Sequence, residues 1–194
     1  MILKRLSVVA SAILMVGLSF NVTAEEHKAR DTGWYVGGEL SNVQLEVGSF
    51  DDSGAGFGAY GGYNFNHWFG IEGKWMLTND LQDGRVDLGL AVFSAAPKFT
   101  WAINDTFSVF GKVGLAIRAL EVDPDYDYDE GFDTADWSGV NVLYGVGITA
   151  AVSESLRLRL SYEYATGDLD ADRSEMLDID ADTSQLALGL HYQF

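Results

Sequence analysis

The chain has 194 residues, no cysteine, 12 basic against 29 acidic side chains and a formal net charge of -17. Without cysteine there is no disulfide scaffold and no thiolate metal site. Acidity of this size repels phosphates and excludes nucleic acid as a partner.

Lys4 and Arg5 precede an uncharged run over 6–20, and Val22, Thr23 and Ala24 supply small residues for a cleavage site. The pattern predicts a secretory signal peptide over 1–24; the run is short for a membrane helix. The remaining 25–194 fit one domain. Mean hydropathy is +0.02, and no apolar run long enough to span a bilayer as a helix follows the leader. A transmembrane barrel evades that criterion, because only every second residue of its strands faces lipid.

Period-two alternation then runs through the chain. In 33–42, Trp34, Val36 and Leu40 share one face and Tyr35, Glu39 and Ser41 the other. Phe57, Ala59, Tyr63 and Phe65 share a parity in 56–65, and Phe69, Ile71, Trp75 and Leu77 share one in 68–77. Val86, Leu88, Leu90 and Val92 form an apolar row whose parity slips across 94–97 before Phe99 and Trp101, which predicts a bulge beside Pro97. Phe107, Val109, Val113, Leu115 and Ile117 follow, then Val142, Tyr144, Val146 and Ile148. Leu156, Leu158, Leu160, Tyr162 and Tyr164 make the seventh row. Leu186, Leu188, Leu190, Tyr192 and the terminal Phe194 make the eighth.

These rows predict eight strands, each near the roughly 9–11 residues that a tilted strand needs to cross a bilayer. Short turns at 64–67, 102–106 and 152–155 alternate with longer loops at 43–55, 78–85, 119–138 and 165–183. That is the layout of an all-β, eight-stranded antiparallel up-and-down transmembrane β-barrel. Charge decides which face is outside. Glu39, Glu72, Lys74, Lys98, Lys112, Arg118, Arg157, Arg159 and Glu163 all oppose the apolar rows. A soluble barrel would hide its apolar face and expose these charges; a soluble β-sandwich is the rival reading. Trp34, Tyr63, Phe65, Phe69, Phe99, Trp101, Phe107, Tyr192 and Phe194 fall at the short-turn end, and Trp75, Tyr162 and Tyr164 at the other. Two such bands match interfacial girdles.

The motifs resemble the eight-stranded transmembrane domain of outer membrane protein A and its small relatives. The likeness is carried by 63–72 (YNFNHWFGIE), 97–105 (PKFTWAIND) and 156–164 (LRLRLSYEY). It implies a lumen cluster in which Glu72, Lys98 and Arg159 match the family's interior charges. The family's second glutamate falls at Thr149, and Glu163 is placed to substitute for it. The expected lumen cluster is Glu72, Lys98, Lys112, Arg157, Arg159 and Glu163. Tyr192 and Phe194 look like the signal that barrel-assembly machinery reads. The chain ends with the barrel, so the peptidoglycan-binding domain of larger relatives, and a tether to the wall, are not expected.

Catalysis at an outer rim needs a base beside a nucleophile or acid. His27, His67 and His191 fall in the leader segment, a short turn and the last strand, so no enzyme is expected. The acidic segments carry Asp123, Asp125, Asp127 and Asp129, then Asp168, Asp170 and Asp172. Alternating aspartates offer oxygen ligands for weak Ca²⁺ or Mg²⁺ binding, but Glu130 and Arg173 stand where an EF-hand needs glycine. No other cofactor is expected. The reading is an integral protein of the cell outer membrane with a structural or surface-interaction role and at most a narrow pore. Its partners are outer-membrane lipid, lipopolysaccharide and the assembly machinery. A small-solute channel and a loop-mediated adhesin or receptor are the alternatives.

Overall fold

The computed structural model describes residues 32–47, 50–82, 86–124, 135–171 and 179–194. The expected signal peptide over 1–24 lies outside them. Eight strands are present: β1 (Gly33–Val47), β2 (Phe50–Asn64), β3 (Phe69–Gln82), β4 (Val86–Ala102), β5 (Phe107–Pro124), β6 (Ala135–Ala151), β7 (Leu156–Ala171) and β8 (Ile179–Gln193). They close into one barrel in chain order, each antiparallel to its neighbours, with β8 against β1. Among the described residues no strand is left as an edge of the ring, as a bilayer requires.

The ladder fixes tilt as well as order. Val36 pairs with Gly61, and the partners Gly73, Ala95, Leu115, Val142, Thr166 and Asp182 lead back to β1 at Glu46, ten residues further on. In an eight-stranded barrel that stagger tilts the strands by about 40°. Tight turns close one end: Asn66 Oδ1 accepts from the amides of Trp68 and Phe69, and Asn104 Oδ1 from those of Thr106 and Phe107. Short polar residues are favoured there because their side chains stand in for the missing backbone bonds.

Alternation places the apolar rows outside. On β5, Val113, Leu115 and Ile117 are about half exposed, while Lys112, Ala116 and Arg118 on the opposite parity are buried. The tilted outward row from Phe107 to Ile117 rises about 25 Å, the height of a lipid-facing belt. Aromatic rings ring the turn end: Phe65 stacks on Phe69, Trp68 on Phe99, and Tyr192 meets Phe194 edge-on. Trp68 joins this girdle although the sequence reading left it out.

Three expectations are corrected. The strands are 14 to 18 residues long, so β1 and β2 fill most of the expected loop 43–55. Asp123 lies on β5, and Asp168 and Asp170 on β7, rather than in loops. Polar residues extend these strands because an antiparallel ladder in water needs only one apolar face. Asp125, Asp127, Asp129 and Asp172 lie outside the described residues.

The bulge is also elsewhere. Ala95 pairs with Leu115 and Lys98 with Lys112 in one unbroken register; pairing lapses at Ala96 and Pro97 without any shift. The shift falls between Thr78 and Leu81, where β3 meets β4.

Finally, Leu90 and Val92 point into the lumen, while Phe93, Phe99 and Trp101 are exposed. The apolar row of β4 therefore changes face without changing register. Towards the turns the surroundings are lipid and the apolar face is outward. Towards the loops Leu90 and Val92 turn inward instead and fill the lumen. The same exchange occurs on β1, where Val36 and Leu40 are exposed but Val43 and Leu45 are buried.

Candidate functional site

Inside the belt the lumen is filled by a network of charged side chains. Glu72 on β3 is its centre. Arg159 of β7 forks onto it, with Nη1 2.6 Å from Oε2 and Nη2 3.0 Å from Oε1. Two parallel bonds of this kind need the flat guanidinium, which lysine cannot imitate. Lys112 Nζ of β5 donates to Glu72 Oε1 at 2.8 Å, and the Tyr35 hydroxyl of β1 donates to Oε2 at 2.7 Å. Lys98 Nζ of β4 donates to the Tyr35 oxygen at 2.7 Å and stands 3.8 Å from Glu72 Oε2. Four strands thus converge on one carboxylate.

A second carboxylate continues the chain towards the loops. Glu163 of β7 lies 2.7 Å from Lys112 Nζ, 3.0 Å from Lys74 Nζ and 3.7 Å from Arg159. Lys74 also meets Glu39 at 2.7 Å, and Gln185 bridges both, accepting from Lys74 at 2.6 Å and donating to Glu39 at 3.0 Å. Every one of these residues is buried. Three carboxylates face four cations, so the cluster nearly balances its own charge. That is the condition under which charges can be held away from water.

Glycines make room for the platforms beneath the cations. A Cβ at Gly62 would meet the Tyr35 hydroxyl at 2.5 Å, and one at Gly147 would strike the Phe110 ring. Their absence lets Tyr35 lie across the lumen with Lys98 Nζ 4.0 Å from its ring centre. Arg159 is held between the rings of Tyr60, at 4.5 Å, and Phe110, at 4.4 Å. Such contacts gain strength when the cation is desolvated.

The structure therefore brings together five of the six expected cluster residues: Glu72, Lys98, Lys112, Arg159 and Glu163. Arg157 sits two positions nearer the turns, opposite His191 in the ladder and half-buried. Thr149 is buried beside Arg159 in register, and Glu163 supplies the second carboxylate. Sequence reasoning passed over Tyr35, Glu39, Lys74 and Gln185 as members, although their parity already marked all four as inward. His191 lies buried with its Nδ1 3.2 Å from the Tyr60 hydroxyl. Among the described residues no group of three or more His, Cys, Asp or Glu is placed to hold a metal. At the chain end, Gln193 donates to the carbonyls of Thr32 and Trp34, and the Phe194 amide donates to Trp34. These bonds close the seam at the turn end.

The model of the outer membrane protein beta-barrel domain matches residues 10–194. The chain belongs to that family. Outer membrane protein A of Escherichia coli O157:H7 is 23% identical over 199 residues, covering 96% of this chain and 54% of the relative. Outer membrane protein A of Klebsiella pneumoniae is 26% identical over 183 residues, covering 85% and 52%. The chain spans about half the length of the curated relatives it matches. Two solved barrels share the fold. Neisserial surface protein A aligns with a TM-score of 0.71 at 14% identity, over 84% of this chain and 98% of that one. Ail, the attachment invasion locus protein of Yersinia pestis, aligns at 0.61 and 18%, over 85% and 100%. As an outer membrane β-barrel the chain is an integral protein of the outer membrane, and its apolar exterior is the surface that lipid covers.

Proposed function

We propose that this barrel is a closed, non-enzymatic element of the outer membrane with a structural or surface-interaction role and at most a narrow, flickering conductance. The observation that carries the reading is the Glu72 cluster, which joins side chains of β1, β3, β4, β5 and β7 across the lumen. An eight-stranded barrel is only wide enough for its interior side chains, and a cross-linked set of them leaves no continuous water path. Refolded protein in planar bilayers should show small, interrupted currents. Large, steady, porin-like steps would favour the solute-channel alternative instead.

The long strand extensions reach beyond the outer leaflet, with the short turns in the periplasm. Lipid and lipopolysaccharide cover the belt, and Tyr192 and Phe194 present the terminal segment to the barrel-assembly machinery. The non-enzymatic reading is supported by the setting of His191, whose ring packs against Tyr35 and Tyr60 inside the barrel rather than at a rim. For the adhesin alternative, Ail has been solved with the heparin analogue sucrose octasulfate. The acidic loop-end sequences here would repel such a polyanion, so an adhesin role would select a cationic partner.

The acidic segments, with Asp123, Asp125, Asp127, Asp129, Asp168, Asp170 and Asp172, bind divalent cations weakly in this reading. Millimolar Ca²⁺ should then slow proteolytic cutting within 119–138 and 165–183 more than Na⁺ at matched ionic strength. Equal slowing by both salts would leave charge screening as the whole effect.

A further inference from the structure

The ladder also fixes which outward side chains stand level with one another around the ring. Ten residues of stagger over eight steps is 10/8, so each step from β1 towards β8 climbs about 1.25 residues towards the loops. Four steps lead from Val36 through Gly61, Gly73 and Ala95 to Leu115, which therefore stands about five residues above Val36. Asn42 is six residues above Val36 on its own strand, and so about one residue above Leu115. Val142, the ladder partner of Leu115, is about 1.25 residues above it. Asn42 and Val142 are thus level on different sides of the ring. Two positions nearer the loops, Gln44 and Val140 are level as well. By the same count Ser184 of β8 is level with Ile117 of β5.

At that level the two sides differ in chemistry. On β5 and β6 the outward side chains Leu115, Ile117, Val142 and Val140 are about half exposed and apolar. On β1 and β8 the level positions are Asn42, which is exposed, and Gln44 and Ser184, which are half-buried against their neighbours. Ser184 Oγ lies 3.4 Å from Gln44 Oε1, and the Tyr164 hydroxyl donates to Asp182 Oδ2 at 2.8 Å. Outward polar groups therefore run across β7, β8 and β1 as one patch. The apolar row ends at Leu40 on β1 and at Leu186 on β8 but continues to Val140 on β6. That is about four residues further, or about 10 Å of height. At the turn end the rows begin together, since Trp34 of β1 and Trp101 of β4 differ in level by about a quarter of a residue.

We propose that the bilayer is thinned beside β7, β8 and β1, where the headgroups of the loop-side leaflet descend to meet the polar patch of Asn42, Gln44, Asp182 and Ser184. The inference rests on the lipid-covered exterior described above and gives that cover two heights. Hydrocarbon offers no water to the two amides and the carboxylate of the patch. A bilayer, by contrast, deforms around a short belt at a modest cost per ångström. Headgroup oxygens and their water can exchange hydrogen bonds with Asn42, Gln44 and Ser184, and the Asp182 carboxylate suits a headgroup ammonium. Tilting a rigid barrel in a flat bilayer does not give this pattern, because it would displace the turn-side boundary together with the loop-side one.

The test uses the absence of cysteine. Single spin labels are placed through Asn42→Cys, Val142→Cys, Gln44→Cys, Val140→Cys, Trp34→Cys, Trp101→Cys and Leu40→Cys. Each protein is refolded into phosphatidylcholine vesicles, with heat-modifiable migration on a gel to establish folding. Ser184→Cys with Ile117→Cys replaces a level pair of which one member does not fold. Accessibility to a water-soluble nickel chelate relative to oxygen reads the depth of each label. Thinning predicts a ratio several-fold higher at Asn42 than at Val142, and at Gln44 than at Val140, with equal ratios at Trp34 and Trp101. Equal ratios within both level pairs, whether lipid-like or water-like, would mean a flat boundary and overturn the proposal. A lipid-like Trp34 beside a water-like Trp101 would mean a tilted barrel and overturn it too. A Leu40 label shielded from oxygen would be a different failure, that of the outward apolar belt itself, and would remove the proposal with it.

Discussion

Replacing Glu72 by Ala should lower the unfolding free energy of the refolded protein by about 3–5 kcal/mol, the cost of stranding buried charges without their partner. Arg159, Lys112 and Lys98 would be left facing one another around an empty place in a lumen that admits little water. Glu72→Gln should recover only part of the loss, because an amide keeps the shape but not the charge and offers a donor where all partners are donors. Added salt should rescue neither variant, since the cluster is shielded from mobile ions. Urea unfolding in lipid vesicles, followed by tryptophan fluorescence, reads the effect. Midpoints equal to that of the parent would mean that the network contributes no stability.

Leu190→Arg, and Leu188→Arg beside it, should cost about 2–4 kcal/mol each if these side chains lie at mid-membrane depth. Both are about half exposed on β8, at the seam where Leu190 pairs with Gly38 and Leu188 with Leu40. Ser184 shares their parity further towards the loops, beyond the apolar row, so Ser184→Arg is the matched control and should cost less than about 1 kcal/mol. An equal penalty at Leu190 and Ser184 would place the belt wrongly, and no penalty at Leu190 would reverse the two faces.

The way β7 and β8 were legible in the sequence, and β4 was not, has one physical cause. Leu156 to Tyr164 and Leu186 to Phe194 lie within the lipid belt over their whole apolar length, so alternation alone identifies the outward face. The row on β4 crosses the outer boundary. Leu90 and Val92 fill the lumen, whereas Phe93 and Phe99 serve a surface surrounded by lipid. Alternation reports that two faces differ; it does not report which solvent lies beyond either. The change of side then mimics a register slip. Strand length was hidden for a related reason, because Gln44, Glu46, Gln82 and Glu121 read as loop residues although they continue the ladder.

The site shows the same division. Parity and charge were enough to mark Glu72, Lys98, Lys112, Arg159 and Glu163 as inward. They could not show that Tyr35 reaches Glu72, or that Lys74 meets Glu39, because those contacts join strands that are not neighbours. They depend on the ten-residue stagger of the ring and on the space left by Gly62. Neither is expressed in any single strand.

The exchange of faces along β4 decides which side of the barrel meets lipid. A spin-label scan through single cysteines from Leu90 to Trp101 reads it, with oxygen reporting lipid and a water-soluble nickel chelate reporting water. Labels at Phe93, Ala95, Pro97, Phe99 and Trp101 should be oxygen-accessible in one unbroken alternation. Labels at Leu90, Val92, Ser94, Ala96 and Lys98 should be shielded from both reagents. Oxygen maxima at Leu90 and Val92, with a change of parity across 94–97, would contradict it.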